Sequence, residues 1–526
     1  MNKSPNFKIY REDWYLLIIF IMMAVAIVIK SYFHPDGYLT FDSTRYLGLA
    51  QNLLEGKGYY VSAYGITGQD REFFAAWPAG YPTLIFVVAK LTGLSVFWAS
   101  KFLNILLMGI ILGIFRNLFK HNAYVYGLIL LFSSYIEIFS YAWSETIFIV
   151  ALVWFATSVY LFIVNPKRIS LLYFSIMMAS LLLFMSRYIG AFSFGLIGLL
   201  GLYYGAIKKD KSKSFILIGI AVINIGIMIL YLYHNYTETG FPTGVERVPS
   251  PEPNLQFFYM LLKGMVAEAL IPIQSMSRNG IMVFFAQFSI FGLLLWKYRN
   301  NILQTNITTN QKPVTSSLVF VIIGLVYLFF TVLIGWEFRI GGFDYRLLGP
   351  GSFLLFIGLI FFVQQRGTKQ FFNAFKGFLL FFAILSYLLN VPYTAWKSST
   401  LNPTYFEVLN ALQEKYADVE KDSIIVFAPV HINYLYTDMQ TRKPYSLTSG
   451  NHAYKEKWSD FMKRIDSENK KNIYMATPEI ELPHENIDQS VVDFVKKYIG
   501  LSHENIDQSV VDFVKKYDKG TLVKLR

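Results

Sequence analysis

Runs of about twenty apolar residues recur along this chain, with Lys and Arg gathered in every second connection, and a polytopic membrane protein is the class that accommodates such a pattern. The first run extends from Trp14 to about Ile29, behind Lys3, Lys8 and Arg11. Others lie near 98–118, 123–141, 145–164, 169–186, 189–207, 214–234, 280–296, 317–336, 347–363 and 371–391, which makes about eleven transmembrane helices. Only 16% of the residues are charged, against about a quarter in soluble domains, so an ordinary soluble enzyme is excluded. The absence of cysteine excludes disulfide scaffolds, Cys-ligated metals and thiol nucleophiles.

The distribution of charge sets the topology. Residues 1–391 hold 29 Lys+Arg against 16 Asp+Glu, whereas residues 392–526 hold 18 against 19. The basic excess therefore lies among the spans and forms no block that would track a nucleic acid. With a cytoplasmic N-terminus, the inner turns carry Arg116 and Lys120, then Lys167 and Arg168, then Lys208 to Lys213, then Lys297, Arg299 and Lys312, and finally Arg366 and Lys369. Pro78 to Thr92 is apolar but short, and counting it as a span would put Arg116 outside; it reads as a helix lying at the interface. Ala24-Val25-Ala26 faintly resembles a cleavage site, but the apolar run continues past it, so an uncleaved anchor is expected.

Two domains follow: a transmembrane domain over 1–391, with outer loops at 30–97 and 235–279, and a small extracytoplasmic α/β domain over 392–526. In the tail, Tyr405 to Tyr416 and Tyr454 to Ile465 read as helices, Ser423 to Phe427 and Asn472 to Ala476 as strands. The block HENIDQSVVDFVKKY occurs at 484–498 and again at 503–517; two similar amphipathic helices account for it.

Polar residues gather on the outer side. Asp42-Ser43-Thr44-Arg45-Tyr46 opens a short helix that Gly56 stops, and Asp42 serves either as its N-cap or as a catalytic carboxylate, two roles that are compatible. Arg45 sits one turn on, on the same side. Glu145 starts a span, Arg187 separates two, and Arg339, Asp344, Tyr345 and Arg346 precede another. Each arginine alone reads as a headgroup anchor and Glu145 as a first-turn dipole partner. Together they run against the positive-inside bias and suit an anionic group held beside a base. Asp36, in His34-Pro35-Asp36-Gly37, is a rival base but reads better as a turn. Gly195, Gly198 and Gly201 suggest close helix packing rather than a phosphate loop. No His/carboxylate pair has convincing metal-ligand spacing and no cofactor is expected, while the sequence leaves open whether a divalent metal is used.

Asp42-Ser-Thr-Arg45-Tyr46, then NLLEGKGY with Lys57, then Trp77-Pro78-Ala-Gly-Tyr81-Pro82, resembles the first outer loop of GT-C glycosyltransferases, nearest the branch of protein O-mannosyltransferases and lipid A aminoarabinose transferases. Trp143-Ser144-Glu145, Ser186-Arg187-Tyr188 and Tyr345-Arg346-Leu-Leu-Gly-Pro350 are similar to later landmarks, over about residues 10–391. The resemblance implies a GT-C-like fold, a polyprenyl-phosphate sugar donor, an acceptor hydroxyl on a glycan, lipid or protein, and a site outside the cytoplasmic membrane. It implies Asp42 as general base and Arg45 as a donor-phosphate contact. Ser43 stands where many members have Glu, and Ala76-Trp77-Pro78 where aminoarabinose transferases have Glu-Lys-Pro; Lys57 or another cation would have to replace that lysine.

A polyprenyl phosphate leaves as a stabilised anion, so one base suffices where a glycosidase usually needs two carboxylates. Attack opposite the phosphate inverts the anomeric centre, and Arg forks stabilise the charge that develops. Arg346, Arg187 and Lys57 join Arg45 as phosphate ligands, while Glu145, Tyr46 and Tyr345 contact the sugar or hold the cations. The rivals are an O-antigen ligase or polymerase and a transporter or lipid flippase. A transporter would more often repeat its halves, and no such repeat is seen.

Overall fold

The computed structural model describes residues 11–34, 37–62, 71–164, 166–250, 252–274, 278–300, 302, 314–338, 340, 342–401, 424–427, 443–446, 473–476 and 522–524. In order these form α1 (Arg11–Phe33), α2 (Phe41–Leu54), β1 (Tyr60–Ser62), β2 (Arg71–Phe73), α3 (Gly80–Thr92), α4 (Val96–Phe119), α5 (Ala123–Gly127) and α6 (Ser133–Ser140). Next come α7 (Glu145–Val164), α8 (Ile169–Ser186), α9 (Phe192–Ala206), α10 (Lys211–Thr239), α11 (Asn254–Glu268) and α12 (Arg278–Tyr298). The last are α13 (Val314–Glu337), α14 (Tyr345–Arg366), α15 (Lys369–Asn390), α16 (Pro392–Leu401), β3 (Ile424–Phe427), β4 (Lys443–Ser446), β5 (Ile473–Ala476) and β6 (Leu522–Lys524). They fall into two units, one of residues 1–28, 75–81 and 101–394, the other of 29–74, 82–100 and 395–526.

Among the described residues, ten helical stretches are long and apolar enough to cross a membrane, one fewer than the sequence suggests. The difference lies at 123–141. The chain reverses at Lys120, whose φ is 51°, and Gly127 returns beside Leu112 of α4. Tyr126 stacks on Phe119 with ring centroids 3.5 Å apart. From there the path is broken into α5, a 3-10 turn over Leu128–Leu131 and α6, rather than one continuous helix. Nearly all of this segment is buried, and irregular backbone is tolerated within a bilayer's depth when protein surrounds it.

In the larger unit α13 and α14 press together through glycines. A Cβ on Gly351 would meet Leu328 at 2.6 Å, and one on Gly358 would meet Val321 at 2.5 Å, so the seven-residue glycine spacing brings the two backbones close. Of the three glycines singled out in α9, Gly201 makes such an approach, 2.8 Å from Ile218 of α10, whereas a Cβ on Gly195 would meet open space and one on Gly198 ordinary contact. Arg116 of α4 pairs with Asp13 of α1, tying together two helix ends expected on the cytoplasmic side.

In the other unit, α2 begins at Phe41 and is capped by Thr40, whose hydroxyl accepts from the Ser43 N–H. Asp42 is therefore in the first turn and is not the cap; its carboxylate lies where the helix dipole favours negative charge. Glu55 closes the helix and Gly56 follows with a φ of 72°, the left-handed stop expected. β1 and β2 pair antiparallel. In the tail the strands order β4-β3-β5-β6, with β3 parallel to both β4 and β5 and β6 antiparallel to β5. The two expected strands appear as β3 and β5, while the expected tail helices, the duplicated block, Asp36 and Arg339 lie outside the described residues.

Candidate active site

In the larger unit, three helix termini converge on one buried carboxylate. The chain between α6 and α7, Tyr141 to Ser144, is held from α4 by Asn104, whose amide donates to the carbonyls of Phe139 at 2.9 Å and Tyr141 at 2.8 Å. These are among the last carbonyls of α6, which have no partner inside their own helix. Lys101, one turn earlier on α4, donates to the Ser140 carbonyl at 2.6 Å. The Asn104 oxygen accepts in turn from the hydroxyls of Tyr81 at 3.0 Å and Thr146 at 3.1 Å. Burial raises the Tyr81 hydroxyl well above its ordinary pKa, so it remains a neutral donor. This network fixes the start of α7 and with it Glu145, which is fully buried.

Arg187 reaches Glu145 from the corner between α8 and α9, and Arg346 reaches it from the first turn of α14. The corner is tight because Gly190 lies against the Leu183 carbonyl, where a Cβ would come within 2.3 Å. Arg346 donates through Nε to Glu145 Oε1 at 2.9 Å. Its own helix end is capped by Asp344, which accepts from the N–H groups of Arg346 at 3.0 Å and Leu347 at 3.3 Å. The Arg346 guanidinium lies 4.2 Å over the Trp143 ring, and Trp143 stacks on Tyr141 at 3.9 Å. Tyr345 stands beside the same Trp, at 6.0 Å between centroids.

A buried carboxylate is tolerated when paired, and here two cations share one acid. The trio carries a net positive charge. Each guanidinium is a fork of N–H donors suited to bidentate pairing with a carboxylate. Both arginines are partly exposed, at 20% and 25%, while Glu145 is not. Glu145 thus holds two guanidinium groups in a fixed arrangement.

The Trp77-Pro78-Ala-Gly-Tyr81 landmark belongs to the same unit and packs on the Arg187 corner. Tyr188 donates its hydroxyl to the Ala75 carbonyl at 2.6 Å, and Gly80 faces the Met185 carbonyl so closely that a Cβ would come within 2.3 Å. Gly244, with a φ of 72°, lies against Ala75 from the other side, so only glycine fits there.

The other unit carries Asp42, Arg45, Tyr46 and Lys57. Arg45 is buried at 6% exposure and pairs with Glu72 of β2. Tyr46 packs on Phe74, 6.2 Å between centroids, and Lys57 pairs with Glu55. Asp42 is half-buried on the first turn of α2. Glu72 had no signal in the sequence, since its position beside Arg45 depends on the hairpin. Lys101 and Asn104 were findable, because polar residues inside an apolar span usually serve a purpose.

A second buried acid went unread. Glu268, the last residue of α11, accepts from Ser134 Oγ at 2.8 Å and Ser352 Oγ at 2.7 Å. Tyr135 shares the Ser352 hydroxyl at 2.9 Å. Burial pushes the Glu268 carboxyl up to about 7. Among the described residues no group of three His, Cys, Asp or Glu side chains could hold a metal ion.

No protein-family model and no curated protein matches this sequence. Solved structures do. The aminoarabinose transferase ArnT from Cupriavidus metallidurans, crystallised bound to undecaprenyl phosphate, is 10% identical with a TM-score of 0.52, over 94% of this chain and 96% of that one. The oligosaccharyltransferase AglB from Archaeoglobus fulgidus, in complex with an inhibitory peptide and a dolichol-phosphate, is 11% identical with a TM-score of 0.47, over 89% and 70%. Near-complete mutual coverage with ArnT gives this chain, with its ten apolar spans among the described residues, the GT-C fold.

Proposed function

We propose that the protein is an inverting glycosyltransferase that moves a sugar from a polyprenyl-phosphate donor to an acceptor hydroxyl on the outer face of the cytoplasmic membrane. The observation that carries this reading is the Glu145–Arg187–Arg346 cluster at three converging helix ends, in a chain of GT-C fold. Arg346 and Arg187 bind the donor phosphate and Glu145 keeps them oriented. Asp42 takes the acceptor proton as the hydroxyl attacks the anomeric carbon, and the bond to the phosphate oxygen breaks with its electrons going to the phosphate. Arg45 and Lys57 supply further positive charge, while Tyr46 and Tyr345 line the sugar's path. The N-terminus is cytoplasmic, and residues 392–526 form an extracytoplasmic α/β domain that contributes to acceptor recognition.

The test is transfer of radiolabelled sugar from the lipid-linked donor that accumulates when the gene is deleted. Asp42→Asn is expected to abolish transfer with donor binding intact, and retained activity would remove Asp42 as the base. Arg346→Ala is expected to lower transfer by about 10²–10³-fold, as loss of a charge-stabilising donor does elsewhere. Unchanged kinetics would reduce Arg346 to an anchor. For the orientation, a cysteine at Ser212 should resist impermeant labelling in intact cells, whereas one at Ser449 should label.

A further inference from the structure

Beside the seam between α13 and α14 lies a cavity of about 480 Å³. It runs from Leu348 near the start of α14 to Phe362 near its end, with Leu318 and Leu328 of α13 along one wall. Fourteen helical residues cover ~21 Å, against ~30 Å for the hydrocarbon core of a bilayer, so the cavity is long, narrow and parallel to the spans. Its lining is apolar apart from three side chains, and among the described lining residues Glu268 alone is ionisable.

Glu268 and Ser352 mark one end of this channel. That end adjoins α11, whose apolar stripe of Leu255, Phe258, Leu262 and Met265 is exposed. The opposite face of α11 is seated on Phe343, with Gly264 so close to the Phe343 carbonyl that a Cβ would come within 2.1 Å. A helix anchored on one face with an apolar stripe on the other, connecting two membrane spans, suits the plane of the interface. Met265 and Glu268, in its last turn, are at the mouth of the cavity. On that placement the mouth opens toward lipid.

The chemistry at the mouth selects among lipids. A phosphate seated there would be desolvated beside a carboxyl with no cation among the lining side chains, a combination that costs free energy. A hydroxyl or amide meets an acceptor in Glu268 when it is ionised and a donor when it is protonated, and the carboxyl's shift to about 7 makes both forms available near neutrality. We propose that the cavity binds the hydrocarbon chain of an uncharged, hydroxyl-bearing lipid, its hydroxyl hydrogen-bonded to Glu268. This binding stands apart from the glycosyl-transfer reading.

The experiment is photolabelling of the full-length protein in detergent micelles with a long-chain alcohol carrying a diazirine on its alkyl tail. Labelling is expected to saturate, to map to the peptide around Ser352–Phe362, and to be displaced by unlabelled alcohol. The methyl ether of the same chain should compete at least fivefold more weakly, and that difference should vanish in Glu268→Leu while Glu268→Gln retains it. Leu359→Trp and Leu318→Trp fill the cavity from partly lipid-exposed positions and should cut labelling about tenfold without changing the unfolding midpoint. Displacement by undecaprenyl phosphate at equal potency would overturn the proposal in favour of the donor's tail. Unsaturable label spread over the spans would overturn it in favour of bulk lipid. Neither readout involves sugar transfer, so failure here is separable from failure of the enzymatic reading.

Discussion

Two acids are buried in the same helical unit, and their surroundings are opposite. Glu145 faces the guanidinium groups of Arg187 and Arg346; Glu268 faces the hydroxyls of Ser134, Ser352 and Tyr135. Neutral donors stabilise a carboxylate by hydrogen bonding but supply no opposite charge. Glu268 consequently sits with its carboxyl pushed up to about 7, burial being the largest cause. Glu145 is held between two guanidinium groups, whereas Glu268 is a group able to exchange a proton near neutrality. Environments that separate two like groups in this way often separate their tasks.

The largest effect that would break this contrast concerns Glu145. Removing one partner of a buried ion cluster leaves charge without compensation, so Glu145→Leu is expected to cost about 3–5 kcal/mol. Replacing the whole trio with Glu145→Leu, Arg187→Met and Arg346→Met should restore most of that stability while transfer stays absent. Denaturant unfolding in detergent, followed by Trp fluorescence, checks both. A trio variant as unstable as the single one would mean that Glu145 matters for its shape and not for its charge.

How much of this was legible beforehand differs between the two acids. Glu145, Arg187 and Arg346 each fall at the end of an apolar run, and charge on the side the sequence reads as outer made them conspicuous. That Glu145 would hold a cation was legible, but that Arg187 and Arg346 would both meet it was not, because 201 residues separate Glu145 from Arg346 and hydropathy carries no information about which helix ends adjoin. Glu268 gave no signal. Its neighbours Ser134 and Ser352 are small residues in apolar stretches, which read equally well as packing. The break at 123–141 was hidden for a related reason, since an apolar run reports that a segment is buried and not that it is continuous. At α2 the sequence located the helix and its stop but assigned the cap to Asp42, where Thr40 fits because its extended backbone places the hydroxyl at the Ser43 N–H.

A smaller effect sharpens the other half of the contrast through pH. In the unfolded chain Glu268 loses its proton near its ordinary 4.5, while the folded protein keeps it to about 7. Below that window both states are protonated and the group is neutral toward stability. Between the two values the folded state binds the extra proton, so stability falls as pH rises, by roughly 3 kcal/mol across the window, and stays low above it. Glu268→Gln should flatten this slope selectively. Unfolding midpoints at pH 5 and pH 8 provide the comparison, and an unchanged slope in the variant would place the titration elsewhere.

The smallest effect separates the hydroxyls from the carboxyl they serve. Ser134 and Ser352 donate to different oxygens of Glu268, at 2.8 and 2.7 Å, so each removal leaves one carboxylate oxygen without that donor. A hydrogen bond to a charged group contributes about 1.5–3 kcal/mol, and to a neutral one about 1 kcal/mol. Ser134→Ala should therefore destabilise the protein more at pH 8, where Glu268 is ionised, than at pH 5, where it is protonated and can itself act as donor. The expected difference is about 1 kcal/mol, and Ser352→Ala should behave alike. In the Glu268→Gln background the pH dependence of either serine variant should disappear. If it persisted, the serines would be tuning some group other than Glu268, and the division between a charge-paired acid and a hydroxyl-paired one would no longer describe the molecule.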